Sequence, residues 1–224
     1  MRIYQRTIIF FIVLSLCCPC KAASEKLSVS NAAISVTLDT RNATLSVTDK
    51  RTGQIWQQKS LTKGKVVQSR KLADGIEMTW HHPGLDPADG GSDPKPAPPA
   101  IRTELRLDAD KPEFTLALSA KGNLKWSLSF PHPFVTDAGT YLVVPMNEGI
   151  SYPVEDKSIA TRWLVAYGGH GICMAFWGVT DGQRGHMAII ETPDDAAIQI
   201  KRIDDKLCVA PQWQSQKGQW QSPL

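Results

Sequence analysis

A period of two constrains this chain more than any other feature. Leu124-Lys125-Trp126-Ser127-Leu128-Ser129-Phe130 alternates four apolar residues with Lys125, Ser127 and Ser129. Successive side chains of an extended strand point to opposite faces, so this pattern buries one face and wets the other. Ile34–Leu38, Leu45–Thr48, Ile76–Trp80 and Phe114–Leu118 alternate in the same way. Asp39-Thr40-Arg41-Asn42 places turn formers between the first two, which predicts a hairpin. Asp49 to Gly53 makes the next turn, before Ile55 and Trp56. The runs Tyr141–Val144, Trp163–Tyr167, Ile172–Trp177 and Met187–Ile190 are continuously apolar and read as central strands covered on both faces. Ile198–Ile200 and Leu207–Val209 complete the set. No stretch after residue 22 carries apolar residues at helical spacing. The expected fold is all-β, a large antiparallel two-sheet sandwich.

Length suits that fold: 224 residues and 24.7 kDa make one large domain or two small ones. With 42% hydrophobic and 21% charged residues, a disordered chain, a collagen and a disulfide-dense miniprotein are excluded. The net charge of +3 is concentrated at the start, where Arg2, Arg6 and Lys21 stand without an acid. Without those three, 22 basic residues face 22 acidic ones, so the body lacks the basic surface that nucleic-acid binding uses. A basic end, the apolar run Ile8–Leu14 and the small residues Cys20 and Ala22 form a secretory signal over residues 1–22. The run is too short to span a bilayer. Lipoprotein acylation, which needs a small residue before the acylated cysteine, fits poorly with Leu16 before Cys17 and Pro19 before Cys20. The expected mature chain is residues 23–224, exported to the periplasm or beyond, with no membrane association after cleavage. Its cysteines are Cys173 and Cys208, both within apolar runs and both read as buried, although one disulfide between them is open.

From Pro83 to Pro99 lie six prolines among glycines and aspartates. A long loop within one sandwich is favoured over an interdomain linker, because the mature segment before it is too small for a secure core. At the other end, Trp213 and Trp220 stand on a polar tail.

Candidate chemistry is sparse. Pro145-Met146-Asn147-Glu148-Gly149 follows a strand, with Tyr152 close behind. Glu148 beside Asn147 and Tyr152 can contact sugar hydroxyls or act as a general acid; the plain alternative is a turn with a solvated acid. Gly168-Gly169-His170-Gly171 offers one titratable ring, or simply a glycine-rich hairpin. Glu148 with Glu191, or with Asp156, is a conceivable carboxylate pair for glycoside hydrolysis. No Cys/His spacing suggests zinc, Asp204-Asp205 lacks a calcium loop's spacing, and no phosphate loop or serine elbow occurs. No metal or cofactor is expected. Of the seven tryptophans, Trp126, Trp163 and Trp177 read as core. Trp56, Trp80, Trp213 and Trp220 sit where an aromatic face can stack on a sugar or a partner domain.

Three stretches carry a resemblance: Val36–Trp56, Tyr141–Gly149 and Met187–Asp195. Together they resemble the N-terminal β-sandwich region of large exported glycoside hydrolases of the endo-α-N-acetylgalactosaminidase type, a sandwich similar to galactose mutarotase. That resemblance implies a module beside a catalytic (β/α)-barrel, and the family's catalytic carboxylates reside in the barrel. None transfers to a position here, and the expected chain is one truncated before the barrel. The expected function is a non-catalytic module that packs against the barrel, binds carbohydrate, or both, through Asn147, Glu148, Tyr152, Trp213 and Trp220. The alternative is a self-sufficient glycosidase or sugar epimerase using Glu148 with His170 or Glu191.

Overall fold

The first hairpin forms where alternation and turn chemistry coincide. Ile34, Val36 and Leu38 are buried while Ser35 and Thr37 lie on the other face. Asp39 Oδ1 accepts the Arg41 amide at 3.0 Å, and Asn42 Oδ1 accepts the Thr44 amide at 3.2 Å, so the turn's side chains replace lost backbone partners. The computed structural model describes residues 26–61, 64–81, 100–120, 128–147, 149–165, 171–193, 196–213 and 220–223. They form strands and connections, without a helix among them.

Every strand pairing is antiparallel. The first sheet runs in order through β1 (Lys26–Ser30), β2 (Ile34–Asp39), β3 (Thr44–Asp49) and β4 (Ile55–Gln57). A second, of β5 (Lys65–Lys71), β6 (Gly75–His81), β7 (Ala100–Leu107) and β8 (Phe114–Ala120), takes β17 (Trp220–Pro223) on its far edge. A third has the order β12 (Arg162–Val165), β15 (Ala196–Ile203), β16 (Lys206–Trp213), β9 (Leu128–Ser129). The fourth is β11 (Ile150–Pro153), β10 (Tyr141–Val144), β13 (Phe176–Thr180), β14 (Gly185–Ile189). One continuous apolar core joins all four sheets, which is the all-β antiparallel sandwich that the alternation predicts. Strands β6 and β7 pair from Gly75↔Arg106 to His81↔Ala100, so the ends of the proline-rich segment meet across one sheet. Residues 82–99, residues 1–25 and most of the 124–130 run, Trp126 included, lie outside the described residues.

The four continuously apolar runs are not covered on both faces. Leu142 and Val144 are buried, whereas Tyr141 stands exposed on the opposite face of β10. Trp163 is 52% exposed on β12 and Met187 62% on β14; both strands end their sheets, where a covering layer runs out. Only the end of Ile172–Trp177 is strand. Before it, Ile172 bridges to Met146 and the Cys173 amide donates to Pro145 O at 2.9 Å. Trp177 is core as expected, but so is Trp80, which the sequence places at an accessible strand end. Its indole N–H donates to Thr103 Oγ1 at 3.0 Å across a buried pair of strands. Among the described residues no helix is long and apolar enough to cross a membrane.

Cys173 and Cys208, the cysteines among the described residues, are free and differ in environment. Cys208 is buried as expected, and burial pushes its thiol up to about 12, with Lys201 acting weakly the other way. Cys173 is exposed rather than buried, because its residue lies in the bend before β13 instead of within a strand. Native protein treated with a maleimide at pH 7.5 is expected to label the peptide carrying Cys173 and spare that carrying Cys208 until denaturant is added. Mass mapping that finds the two labelled equally in native protein would contradict these placements.

His186 ties the first sheet to the fourth. Its ring meets Trp56 at 5.6 Å edge-on and Phe134 at 5.3 Å, and Nδ1 is enclosed without a hydrogen-bond partner. Burial lowers its pKa from 6.5 to about 4. A depressed histidine pKa means the unfolded chain takes up the proton first as pH falls. The neutral ring's contribution is therefore intact above pH 6.5 and is lost progressively between 6.5 and 4. The ring keeps some solvent contact, so the loss is about 2 kcal/mol. Unfolding free energies from urea titrations at pH 7 and 4.5 are expected to differ less in His186→Phe than in the wild type, by up to about 2 kcal/mol. Equal differences would refute the assignment.

Candidate functional site

Two short segments build a cleft at the edge of the third sheet. The first is the exit from β10. Met146 N donates to Val144 O at 2.8 Å and Gly149 N to Met146 O at 2.9 Å, closing a tight turn into β11. That turn needs positive φ, supplied by Asn147 at 55° and Gly149 at 96°. Asparagine tolerates the left-handed region better than most residues, and glycine adopts it without a Cβ clash. Asn147 is thereby held exposed at the rim.

The second segment is β12, an edge strand with one sheet neighbour, β15. Leu164 packs inward, and Trp163 lies on the opposite face, level with Gln199. The Trp163 indole N–H donates to Gln212 Oε1 at 2.7 Å, so the ring is anchored at its polar end while about half of the residue stays exposed. Residues 171–173 join the two segments: Ile172 N donates to Val165 O at 3.0 Å, and Cys173 Sγ donates to Pro145 O at 2.9 Å. The cleft between them has a volume of about 450 Å³ and is lined by Met146, Asn147, Arg162, Trp163 and Leu164. Consecutive strand residues point to opposite faces, so it wraps the open edge of β12, with Trp163 on one flank and Arg162 toward the turn. Arg162 Nη1 lies 3.9 Å from Met146 Sδ.

The described lining thus offers an indole face, an amide, a guanidinium, a thioether and an alkyl group, which is a set for recognising a ligand. A smaller groove of about 120 Å³ lies beside Trp56, Asp137 and Arg184. Its charges are already matched: Arg184 binds Asp181 at 3.0 Å and Gln54 at 3.2 Å, and Gln54 reaches Asp137 at 3.3 Å. Among the described residues no group of histidine, cysteine and acid side chains could hold a metal.

Of the residues singled out from sequence, Asn147 lies in the cleft. Tyr152 does not; it is level with Leu142 on β11 and packs half-buried against the core. Trp213 is fully buried, so it is a core residue and not a surface contact. Its indole N–H donates to Phe130 O, which draws the end of β16 inward. Trp220 begins β17, opposite Ala120, and its side chain lies outside the described residues, as do Glu148 and His170. Glu191 is exposed and away from the lining. Trp163 and Arg162 are the residues that sequence reasoning missed. The available signal was Thr161-Arg162-Trp163, a charged residue and an aromatic opening an apolar run, which marks a strand start near the surface.

No protein-family model matches this sequence, and no curated protein sequence matches it significantly. Solved structures do match its shape. The alpha-N-acetylgalactosaminidase NagBb from Bifidobacterium bifidum, in its GalNAc complex, superposes with a TM-score of 0.66 at 12% identity, over 88% of this chain and 35% of that one. Its complex with Gal-NHAc-DNJ gives 0.65. A galactose mutarotase related enzyme from Lactobacillus acidophilus gives 0.50 at 12% identity, over 89% of this chain and 94% of that one. This chain spans about a third of the Bifidobacterium enzyme's length. At such identity the likeness concerns the fold alone, and the fold is a galactose mutarotase-like antiparallel β-sandwich.

Proposed function

We propose that this chain is a non-catalytic β-sandwich module of a glycoside-hydrolysing system, binding carbohydrate in the cleft along β12. The observation that carries this reading is Trp163: half-exposed, anchored by Gln212, and lining the cleft together with Asn147. A sugar ring presents an apolar C–H face and a hydroxyl rim, and a fixed indole beside an amide matches both. The fold's occurrence in an alpha-N-acetylgalactosaminidase and in a galactose mutarotase related enzyme supports the same class of ligand. Under this reading a catalytic barrel packs on the outer face of the fourth sheet, where Tyr141, Met187 and Ile189 are exposed. An exported location, from the signal over residues 1–22, belongs to the same proposal.

A glycan array probed with the purified chain tests the carbohydrate reading. Trp163→Ala is expected to weaken the strongest glycan signals at least roughly tenfold, about 1.4 kcal/mol, while leaving the unfolding midpoint nearly unchanged. Trp213→Ala is expected to do the reverse to stability, costing about 3–5 kcal/mol through the cavity it leaves. Binding that survives Trp163→Ala would move the site elsewhere. Hydrolysis of aryl glycosides that disappears in Glu148→Gln would replace the module reading with an enzyme.

A further inference from the structure

Resting on the carbohydrate reading of the cleft, we infer that the sugar it takes carries an anionic substituent, a carboxylate or a sulfate, received by Arg162. The other arginines among the described residues are occupied. Arg41 is bound to Asp39 at 2.6 Å, Arg51 to Asp49 at 2.7 Å and Arg184 to Asp181 at 3.0 Å. Glu77 takes both Arg70 and Arg102, and Arg106 is held by Glu104 and Asp74. Arg202, without a carboxylate, donates to the backbone carbonyls of Asp156, Ile159 and Asp205. Among the described residues only Arg162 has neither kind of partner.

Its one hydrogen-bond contact among the described residues is the Met146 thioether at 3.9 Å, a weak acceptor that leaves most of the guanidinium's five N–H groups unused. This unspent cation is the only charged group among the described lining residues, and it lies next in sequence to the anchored indole. A guanidinium presents its donors as a planar fork, which fits two oxygens of a carboxylate or sulfate and gives a neutral hydroxyl no comparable pairing. The adjacent indole supplies the sugar's apolar contact, and the Asn147 amide supplies a hydroxyl partner. Charge elsewhere on the chain does not produce the same selectivity, because acids and bases beyond the first 21 residues balance.

The test compares three polymers at equal repeat concentration by calorimetry: neutral galactan, polygalacturonate for the carboxylate, and a sulfated galactan. Wild type is expected to bind at least one anionic polymer roughly tenfold more tightly than galactan. The preference should shrink as salt rises from 50 to 500 mM, and the two anionic arms identify the substituent. Arg162→Ala is expected to bring the anionic-to-neutral ratio to within about twofold, with Arg162→Lys retaining part of it, because a lysine keeps the charge but not the fork. Arg41→Ala, a surface arginine away from the cleft, should leave the ratio unchanged. If Arg162→Ala folds poorly, Arg162→Gln keeps a side chain of similar reach and must show the same loss. Equal binding of neutral and anionic polymers by wild type, or a ratio indifferent to residue 162, overturns this inference and leaves the carbohydrate reading standing. Binding to none of the three, with an empty glycan array, removes the carbohydrate reading itself.

Discussion

The indole N–H of Trp213 donating to the carbonyl of Phe130 is the contact on which the rest of the sandwich depends. It pins the end of β16 to the end of β9 at a point with no water access. The Phe130 ring then lies 4.7 Å from the ring of Trp80, and Trp80 donates to Thr103 Oγ1. Three large aromatics and two buried hydrogen bonds thereby connect the third sheet to the middle of the second. Each polar atom in that chain is matched, as burial demands, since an unmatched donor or acceptor there would cost about 1–3 kcal/mol. The packing and the pairing are not separable: the aromatics exclude water because their N–H groups have partners inside.

That knot also reaches the surface. Strand β16 is buried along nearly its whole length, a rigid beam between β15 and β9. Gln212 stands next to Trp213 on this beam and so points to the opposite face, where its amide oxygen holds the Trp163 indole at 2.7 Å. An exposed tryptophan on an edge strand would ordinarily sample several rotamers. Here its polar end is tied to the best-supported strand of the fold, which reduces the ordering entropy lost when a ligand arrives. The neighbouring Asn147 is fixed by backbone geometry instead, through the tight turn from β10 to β11.

Hairpin grammar made much of the fold legible. The alternating runs around Val36, Val47, Met78 and Leu116 are strands with the expected faces inward. Continuous apolar runs misled, because periodicity does not distinguish a strand covered on both faces from an edge strand whose outer face is apolar for another purpose. Trp163, Tyr141 and Met187 all fall in that gap. The tryptophans were misassigned in both directions for a related reason. Whether an indole is core or surface depends on partners far away in sequence, such as Phe130 for Trp213 and Gln212 for Trp163. Asn147 was readable because its constraint is local: a strand end, an asparagine and a glycine two residues on.

The same distinction between local and distant constraints governs charge. Asp39–Arg41, Asp49–Arg51 and Asp181–Arg184 are pairs within a single turn, each settled by a few residues of sequence. In these turns the arginine also lowers its partner's carboxyl pKa, through a side-chain hydrogen bond first for Asp39 and Asp49, whereas backbone amides lead for Asp181. Exposed pairs of this kind add little stability and are screened by salt, but they leave no cation free to attract an anion. Arg162 has no acid at such spacing: Asp156 is engaged by Ser158, and nothing acidic follows until Asp181. Among the described residues the other arginines are held by turn neighbours, by cross-strand acids or by backbone carbonyls, which leaves Arg162 as the arginine with charge to spend, beside a fixed indole in the cleft.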